Sequence, residues 1–187
     1  MKEHKIAIIG QIAKWKGQDV FIKAAKLLHP KHPELKFLIV GDVLFDKKEE
    51  LEYKKHLIQM AEGCHYIEFL GYQDNIPSFI QTIDILVHAS IREEPFGRVI
   101  IEGMAAKKPV IASALGGPLE IIEDGVSGLL YGAGSDVELA IQIEKIISNE
   151  ELYNNISKQG YYSFQVNFNL RKTISLVESC LDRLLVK

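Results

Sequence analysis

Ile85-Leu86-Val87-His88, closed by Ala89-Ser90, is followed by a helical pattern over Val99–Ala106 and a second apolar run, Pro109-Val110-Ile111-Ala112. Short unbroken apolar runs alternating with helices indicate parallel strands buried on both faces and joined by crossover helices. The pattern repeats outward from this segment. Upstream, Lys5–Ile9 reads as a strand ending at Gly10, Gln18–Leu28 as a helix closed by Pro30 and Pro33, and Phe37–Val40 as a strand ending at Gly41-Asp42. A charged helix over Glu49–Ala61 stops at Gly63, Tyr66–Leu70 is a strand ending at Gly71, and Ile76–Gln81 is a short helix. Downstream come a brief helix at Leu119–Ile122, a strand at Gly128–Tyr131, and helices at Val137–Ile147 and Leu170–Leu185. The expected class is α/β, a parallel sheet sandwiched by helices. Ligands bind such sheets at the carboxyl ends of the strands. Gly10, Gly41, Gly71, Ser90 and the run Ala114-Leu115-Gly116-Gly117 are therefore expected around one crevice.

Composition narrows the function classes. The 187 residues allow one well-packed domain, and 47% apolar with 25% charged residues fits a globular protein. No apolar run approaches a membrane span and the first residues do not lead into a signal-peptide pattern. A formal charge of −3 argues against a general nucleic-acid surface. Cys64 and Cys180 form no disulfide framework, and the six histidines show no metal-ligand grouping. A reducing, cytoplasmic location and no metal are expected.

The chemistry concentrates in Glu94-Pro95-Phe96-Gly97-Arg98-Val99-Ile100-Ile101-Glu102. Pro95 suits a first helical turn, where a missing amide hydrogen costs nothing. With a helix start near Phe96, the amides of Gly97, Arg98 and Val99 point outward, a natural site for phosphate. Glu102 lies one turn beyond Arg98, about 6 Å up the axis, within reach of a ribose diol. Glu94 precedes the helix and is free to touch a group on the far side of the phosphates. Two glutamates near a helix start also serve as ordinary capping charges, so this reading needs support elsewhere.

The loop after the first strand, Gly10 to Gly17, lacks both the GxGxxG and the GxxxxGK[ST] spacings. It carries Lys14 and Lys16, either of which is a compact charge suited to an oxyanion or simply a solvated side chain. Trp15 reads as packing at the loop base. His88 ends a core strand at the ligand edge and reads as structural or as a contact to a transferred group. Gly116-Gly117 allows backbone to approach a ligand or forms a tight turn. The cluster Tyr161-Tyr162-Ser163-Phe164 reads as packing between the closing helices and the sheet.

Six segments in order carry a resemblance: Gly10-Gln11…Lys16-Gly17, Phe69-Leu70-Gly71-Tyr72, Ser90–Gly97, Glu102-Gly103-Met104-Ala105, Lys108–Ala112 and Gly116–Glu120. Together the chain resembles the C-terminal, donor-binding domain of the retaining GT-B glycosyltransferases of family 4, over residues from about 6 to 131. The resemblance implies a Rossmann-like sheet forming the C-terminal half of a GT-B fold. It also implies site roles. Glu102 takes the ribose hydroxyls, and Glu94 contacts hydroxyls of the transferred sugar with amides around Phe96 and Gly97. Lys16 and the amides of Arg98 and Val99 hold the diphosphate beside Gly10 and Gln11, and the backbone at Gly71-Tyr72 reads the base. Glu94 and Lys16 are the catalytic residues on this reading. Where relatives often have Gly-Arg, this chain has Gly10-Gln11, which shifts stabilisation of the leaving phosphate onto Lys16. Gly103 replaces a frequent alanine.

The implied reaction moves a hexose from a nucleoside diphosphate sugar to a saccharide or lipid-linked acceptor, as in bacterial polysaccharide biosynthesis. The donor is expected to be a UDP-sugar, UDP-glucose first, with GDP-mannose as runner-up. No cofactor or divalent ion is implied, and there is no Asp-x-Asp pair. Residues 1–187 are expected to be one donor-binding domain, with the N-terminal acceptor domain absent and isolated activity near background. Contact with a membrane is expected only through that other domain. A GT-B-type sugar-nucleotide epimerase and a non-catalytic nucleotide-binding domain are the alternative readings.

Overall fold

Six parallel strands form the sheet in a computed structural model that describes residues 4–45, 47–168 and 170–185. They are β1 (His4–Ile9), β2 (Leu35–Val40), β3 (Ile67–Gly71), β4 (Ile85–His88), β5 (Val110–Ser113) and β6 (Leu129–Tyr131). The span 1–187 read above as one domain also takes in the few residues outside this description. The strand order is β3-β2-β1-β4-β5-β6, with every neighbouring pair parallel. The chain enters at the middle, builds outward through β2 and β3, and then returns to place β4 on the other side of β1. Connections from β1 and β4 thus leave in opposite directions, and a crevice opens above their carboxyl ends. This is the Rossmann-like half of a GT-B fold.

Alternation along each strand divides the core between two faces. Ile6, Ile8, Phe37, Ile39, Val87 and Ile111 pack against α1 (Gln18–Leu28), α2 (Lys48–Met60) and α6 (Asp136–Ile147). Ala7, Leu38, Leu86, Val110 and Ala112 face α3 (Ile76–Gln81), α4 (Arg98–Ala105) and α5 (Pro118–Ile121). Both faces are apolar, which is why the strands read as unbroken runs rather than alternating ones. Side-chain oxygens of Asn75, Ser135 and Asn149 cap α3, α6 and α7 (Glu150–Asn167). The last helix is α8 (Leu170–Leu185).

Two elements differ from the sequence reading. α4 begins at Arg98, because Gly97 at φ 67° is left-handed and Phe96 therefore remains in the preceding loop. α7 spans 18 residues that carried no helix assignment. Its fully buried residues are Ile156 and Gly160, with Leu152, Tyr153 and Phe164 partly buried on the same face, a thin stripe interrupted by a glycine that reads weakly as a helix in the sequence. The Tyr161–Phe164 cluster lies within this helix, with the Lys107 ammonium 4.6 Å above the Tyr161 ring.

Gly103 also has a reason that helix propensity does not supply. A Cβ there would lie 2.5 Å from Leu86 Cδ2 and 2.9 Å from Val110 Cγ2, so α4 rests directly on β4 and β5. Overpacking a filled core costs about 1–3 kcal/mol, and alanine regains up to about 1 in a helix interior. Gly103→Ala is therefore expected to destabilise the fold by about 1 kcal/mol in urea denaturation. A raised midpoint would show that the neighbouring side chains yield freely.

Candidate functional site

The path from β1 to α1 is set by backbone contacts. Gly10 N donates to Val40 O at 2.9 Å and Ile12 N to Asp42 O at 3.0 Å, extending the β1–β2 pairing past the strand ends. A single 3-10 turn, Lys14–Lys16, follows. Gly17 then turns the chain at φ 69°, so close to β4 that a Cβ would sit 2.0 Å from the Ala89 carbonyl oxygen. Ile91 N donates to Trp15 O at 2.8 Å and locks the two loops together. The result is that Lys16 is delivered to the edge where β4 ends.

Glu94 arrives from the other side, in the loop between β4 and α4. Gly117 N donates to Glu94 O at 2.9 Å, and Cβ atoms at Gly116 or Gly117 would press on the backbone of residues 93–96. These two glycines thus let one loop lie flat against another; they back the Glu94 loop and do not face the crevice. Lys16 Nζ meets both Glu94 oxygens, at 2.9 Å to Oε1 and 2.8 Å to Oε2. His88 Nε2 is 2.8 Å from Oε2, and Ser90 Oγ donates to the same oxygen at 2.9 Å. His88 and Ser90 are both buried. Burial by itself would raise the Glu94 pKa; hydrogen bonds from His88, Lys16 and Ser90, with the Lys16 charge, outweigh it and hold the carboxyl at about 2.

Lys16 and Glu94 both line a cleft of about 740 Å³. One wall is Gly10, Gln11, Trp15 and Lys16; a second runs from Glu94 through Val99 to Glu102; a third is formed by residues 40–42 with Leu44 and by residues 72–74 with Ile76 and Pro77. Of the residues singled out in the sequence, Gly10, Gln11, Lys16, Tyr72, Glu94, Phe96, Gly97, Arg98, Val99 and Glu102 are brought together here. Gly71 is not on the wall: it ends β3, and its carbonyl accepts from Gly41 N at 2.8 Å. Trp15, read as packing at the loop base, is half-buried and does line the cleft, with Lys16 Nζ 4.2 Å from its ring centroid. α4 opens on this wall with Arg98 and Val99, whose amides precede the first helical bond, while Ile100 N already donates to Gly97 O at 2.9 Å.

Gln11 has a partner that the sequence did not reveal. Its Nε2 donates to both oxygens of Glu50 on α2, at 2.9 and 3.0 Å, while buried Gln18 donates to the Gln11 carbonyl at 2.8 Å. Asp42, also on the cleft wall, is paired with Lys54 at 2.7 Å, and that bond holds its carboxyl below the usual range against the effect of burial. Among the described residues no group of three or more histidine, cysteine or carboxylate side chains is placed to hold a metal ion. No helix among them is long and apolar enough to cross a membrane. The cleft therefore offers a lysine already paired with an acid, a helix opening onto free space, and a second acid one turn along. Such an arrangement suits a ligand with anionic and polyhydroxyl parts.

The family model described as glycosyl transferases group 1 matches residues 1–162. An uncharacterised glycosyltransferase of Methanocaldococcus jannaschii is 34% identical over 179 residues, covering 94% of this chain and 47% of that protein. The structure of HepE from Anabaena in complex with UDP superposes with a TM-score of 0.91 at 30% identity, over 97% of this chain and 49% of that one. The C-terminal domain of a glycosyl transferase group 1 family protein from Francisella tularensis superposes with a TM-score of 0.81 at 32% identity, over 89% of this chain and 87% of that one. The chain spans about half the length of the curated relatives it matches.

Proposed function

The chain belongs to the glycosyl transferases group 1 family, and from that premise we propose that it is the C-terminal, donor-binding domain of a retaining family 4 glycosyltransferase. Its donor is a UDP-sugar, UDP-glucose first. The transferred hexose goes to a saccharide or lipid-linked acceptor held by an N-terminal domain, in the cytoplasm. The observation that carries this reading is the meeting of Lys16 and Glu94 at 2.8 Å beside the opening of α4, with Glu102 on the same cleft wall. The likeness to a protein solved with UDP, and also with UDP and glucose, supports the choice of nucleotide.

In this reading the diphosphate lies between Lys16 and the amides of Arg98 and Val99. Breaking the anomeric C–O bond builds negative charge on the departing phosphate, and the lysine and helix opening are pre-placed to stabilise it. Glu94 orients sugar hydroxyls and Glu102 the ribose diol. The departing diphosphate accepts the acceptor's proton as attack occurs on the face it leaves, so configuration is retained. Gln11 supplies no charge, and its amide nitrogen is engaged by Glu50, so Lys16 is the principal cation for that step.

Titration calorimetry with UDP, UDP-glucose, GDP and GDP-mannose tests the assignment. UDP ligands are expected to bind more tightly than the guanosine ones, and an equal or reversed preference overturns the choice of base. Glu102→Ala is expected to weaken UDP about tenfold, the loss of one charged hydrogen-bonding group. dTDP, with one ribose hydroxyl fewer, should lose less on the same substitution. A change under about twofold for UDP would remove Glu102 from the ribose.

A further inference from the structure

We propose that His88 is a positioning residue for Glu94, fixing which carboxylate oxygen receives the sugar hydroxyl; this rests on the donor-site reading above. The two oxygens of Glu94 are not equivalent. Oε2 collects three donors, from Lys16 at 2.8 Å, His88 at 2.8 Å and Ser90 at 2.9 Å. Oε1 has Lys16 alone, at 2.9 Å. Each carboxylate oxygen offers about two lone pairs, so Oε2 is filled and Oε1 keeps capacity, on a side chain that lines the cleft.

His88 is suited to hold this asymmetry. It is the last residue of β4 and only 3% exposed, so its ring is fixed by the core. Its partner is an ionised acceptor, which selects the tautomer carrying hydrogen on Nε2. Nδ1 is then a bare acceptor, and it is buried with no hydrogen-bond partner. A histidine whose outer nitrogen serves Glu94 while the inner one serves nothing has a single polar task. Ser90 Oγ, 3.2 Å from the same Nε2, completes the clamp.

The consequence appears on binding. A diphosphate draws Lys16 away from the carboxylate. Without a second anchor, Glu94 would follow the lysine or turn toward solvent. With His88 and Ser90 still on Oε2, the side chain stays in place, and Oε1 is released to accept a hydroxyl from the sugar. His88 acts on the sugar only through Glu94; it is not itself a catalytic residue.

Calorimetry with UDP and UDP-glucose on wild type, His88→Leu, His88→Gln and Ser90→Ala tests the assignment. His88→Leu should cost roughly tenfold in UDP-glucose affinity while UDP changes by less than about twofold, because only the sugar contact depends on the clamp. His88→Gln, which can place an N–H near the Nε2 position, should recover most of the loss, and Ser90→Ala should show a smaller loss with the same selectivity. Carboxyl NMR should show the Glu94 group titrating higher in His88→Leu than in wild type. Equal losses for both ligands, or no loss for either, overturn the inference. If His88→Leu does not fold, the glutamine and Ser90 variants decide by the same ratio. Wild type that binds neither UDP nor UDP-glucose overturns the donor-site reading, and this inference with it; wild-type binding without the selective loss overturns this inference alone.

Discussion

Lys16→Ala is expected to weaken UDP binding by about a hundredfold, more than a lone charged hydrogen bond of about 1.5–3 kcal/mol ordinarily supplies at its midpoint. The reason lies in the partner left behind. In the free protein Lys16 neutralises Glu94, whose carboxyl is only 17% exposed and stays ionised. Removing the lysine both deletes the cation and leaves an acid facing the incoming diphosphate. Like charges a few ångströms apart in a partly buried site repel by about 1 kcal/mol or more. The two contributions separate in the double variant. Lys16→Ala with Glu94→Gln should bind UDP about tenfold better than Lys16→Ala alone, because the repulsion is gone while the cation is still missing. Additive losses would mean that Glu94 does not sense the phosphates, and a Lys16→Ala loss under about threefold would remove the lysine from the diphosphate altogether.

That coupling joins residues 78 positions apart, and nothing in their local sequence announces it. What was legible was each half separately. A buried parallel strand is an unbroken apolar run, so β1, β2, β4 and β5 could be read directly, and with them the edge where ligands gather. The lysine loop and the Glu94–Glu102 segment were each recognisable as anion- and hydroxyl-binding pieces. Their meeting depends on Gly17, whose absent side chain lets the loop settle on the Ala89 carbonyl. Steric admission of this kind has no periodicity to detect. The same is true of Gly116-Gly117, which looked like a ligand approach and is instead a seat for the neighbouring loop.

Other features were hidden for a different reason. α7 presents only a thin stripe, Leu152, Ile156, Gly160 and Phe164, among polar residues and with a glycine at its middle, so its eighteen residues read weakly as a helix. Gln11 looked like an uncharged replacement awaiting a phosphate, but its amide is already bonded to Glu50, the one largely buried side chain of an otherwise exposed run, residues 47–50, at a charged helix start. His88 ends β4 and Ser90 follows two residues on, just past the strand, and both reach the same Glu94 oxygen. Only the return of the loop brings Glu94 over them. The sequence therefore contained the clamp's parts and their spacing at the strand's end, but not their meeting with the acid that gives them a purpose.

Acid unfolding should expose that acid most clearly. The Glu94 carboxyl is held at about 2 in the folded chain, against a reference of 4.5. A depressed folded value means that the group stabilises the fold above about pH 4.5, and that this contribution is lost as pH falls toward 2. The gap corresponds to on the order of 3 kcal/mol, a large fraction of the stability of a domain this size. Other carboxylates, Asp42 among them, also lose stabilising bonds in acid, so wild type alone cannot isolate the effect. The comparison with Glu94→Gln does. At pH 7 the variant should be less stable, because Lys16 and His88 lose their ionised partner. As pH falls through the window below 4.5, wild type should surrender the advantage that the variant never had, and the two unfolding free energies should converge toward pH 2. Urea titrations at half-unit pH steps measure this directly. A difference that stays constant from pH 7 to pH 3 would mean that Glu94 titrates normally, and the Lys16–His88–Ser90 clamp would then hold no charge in place.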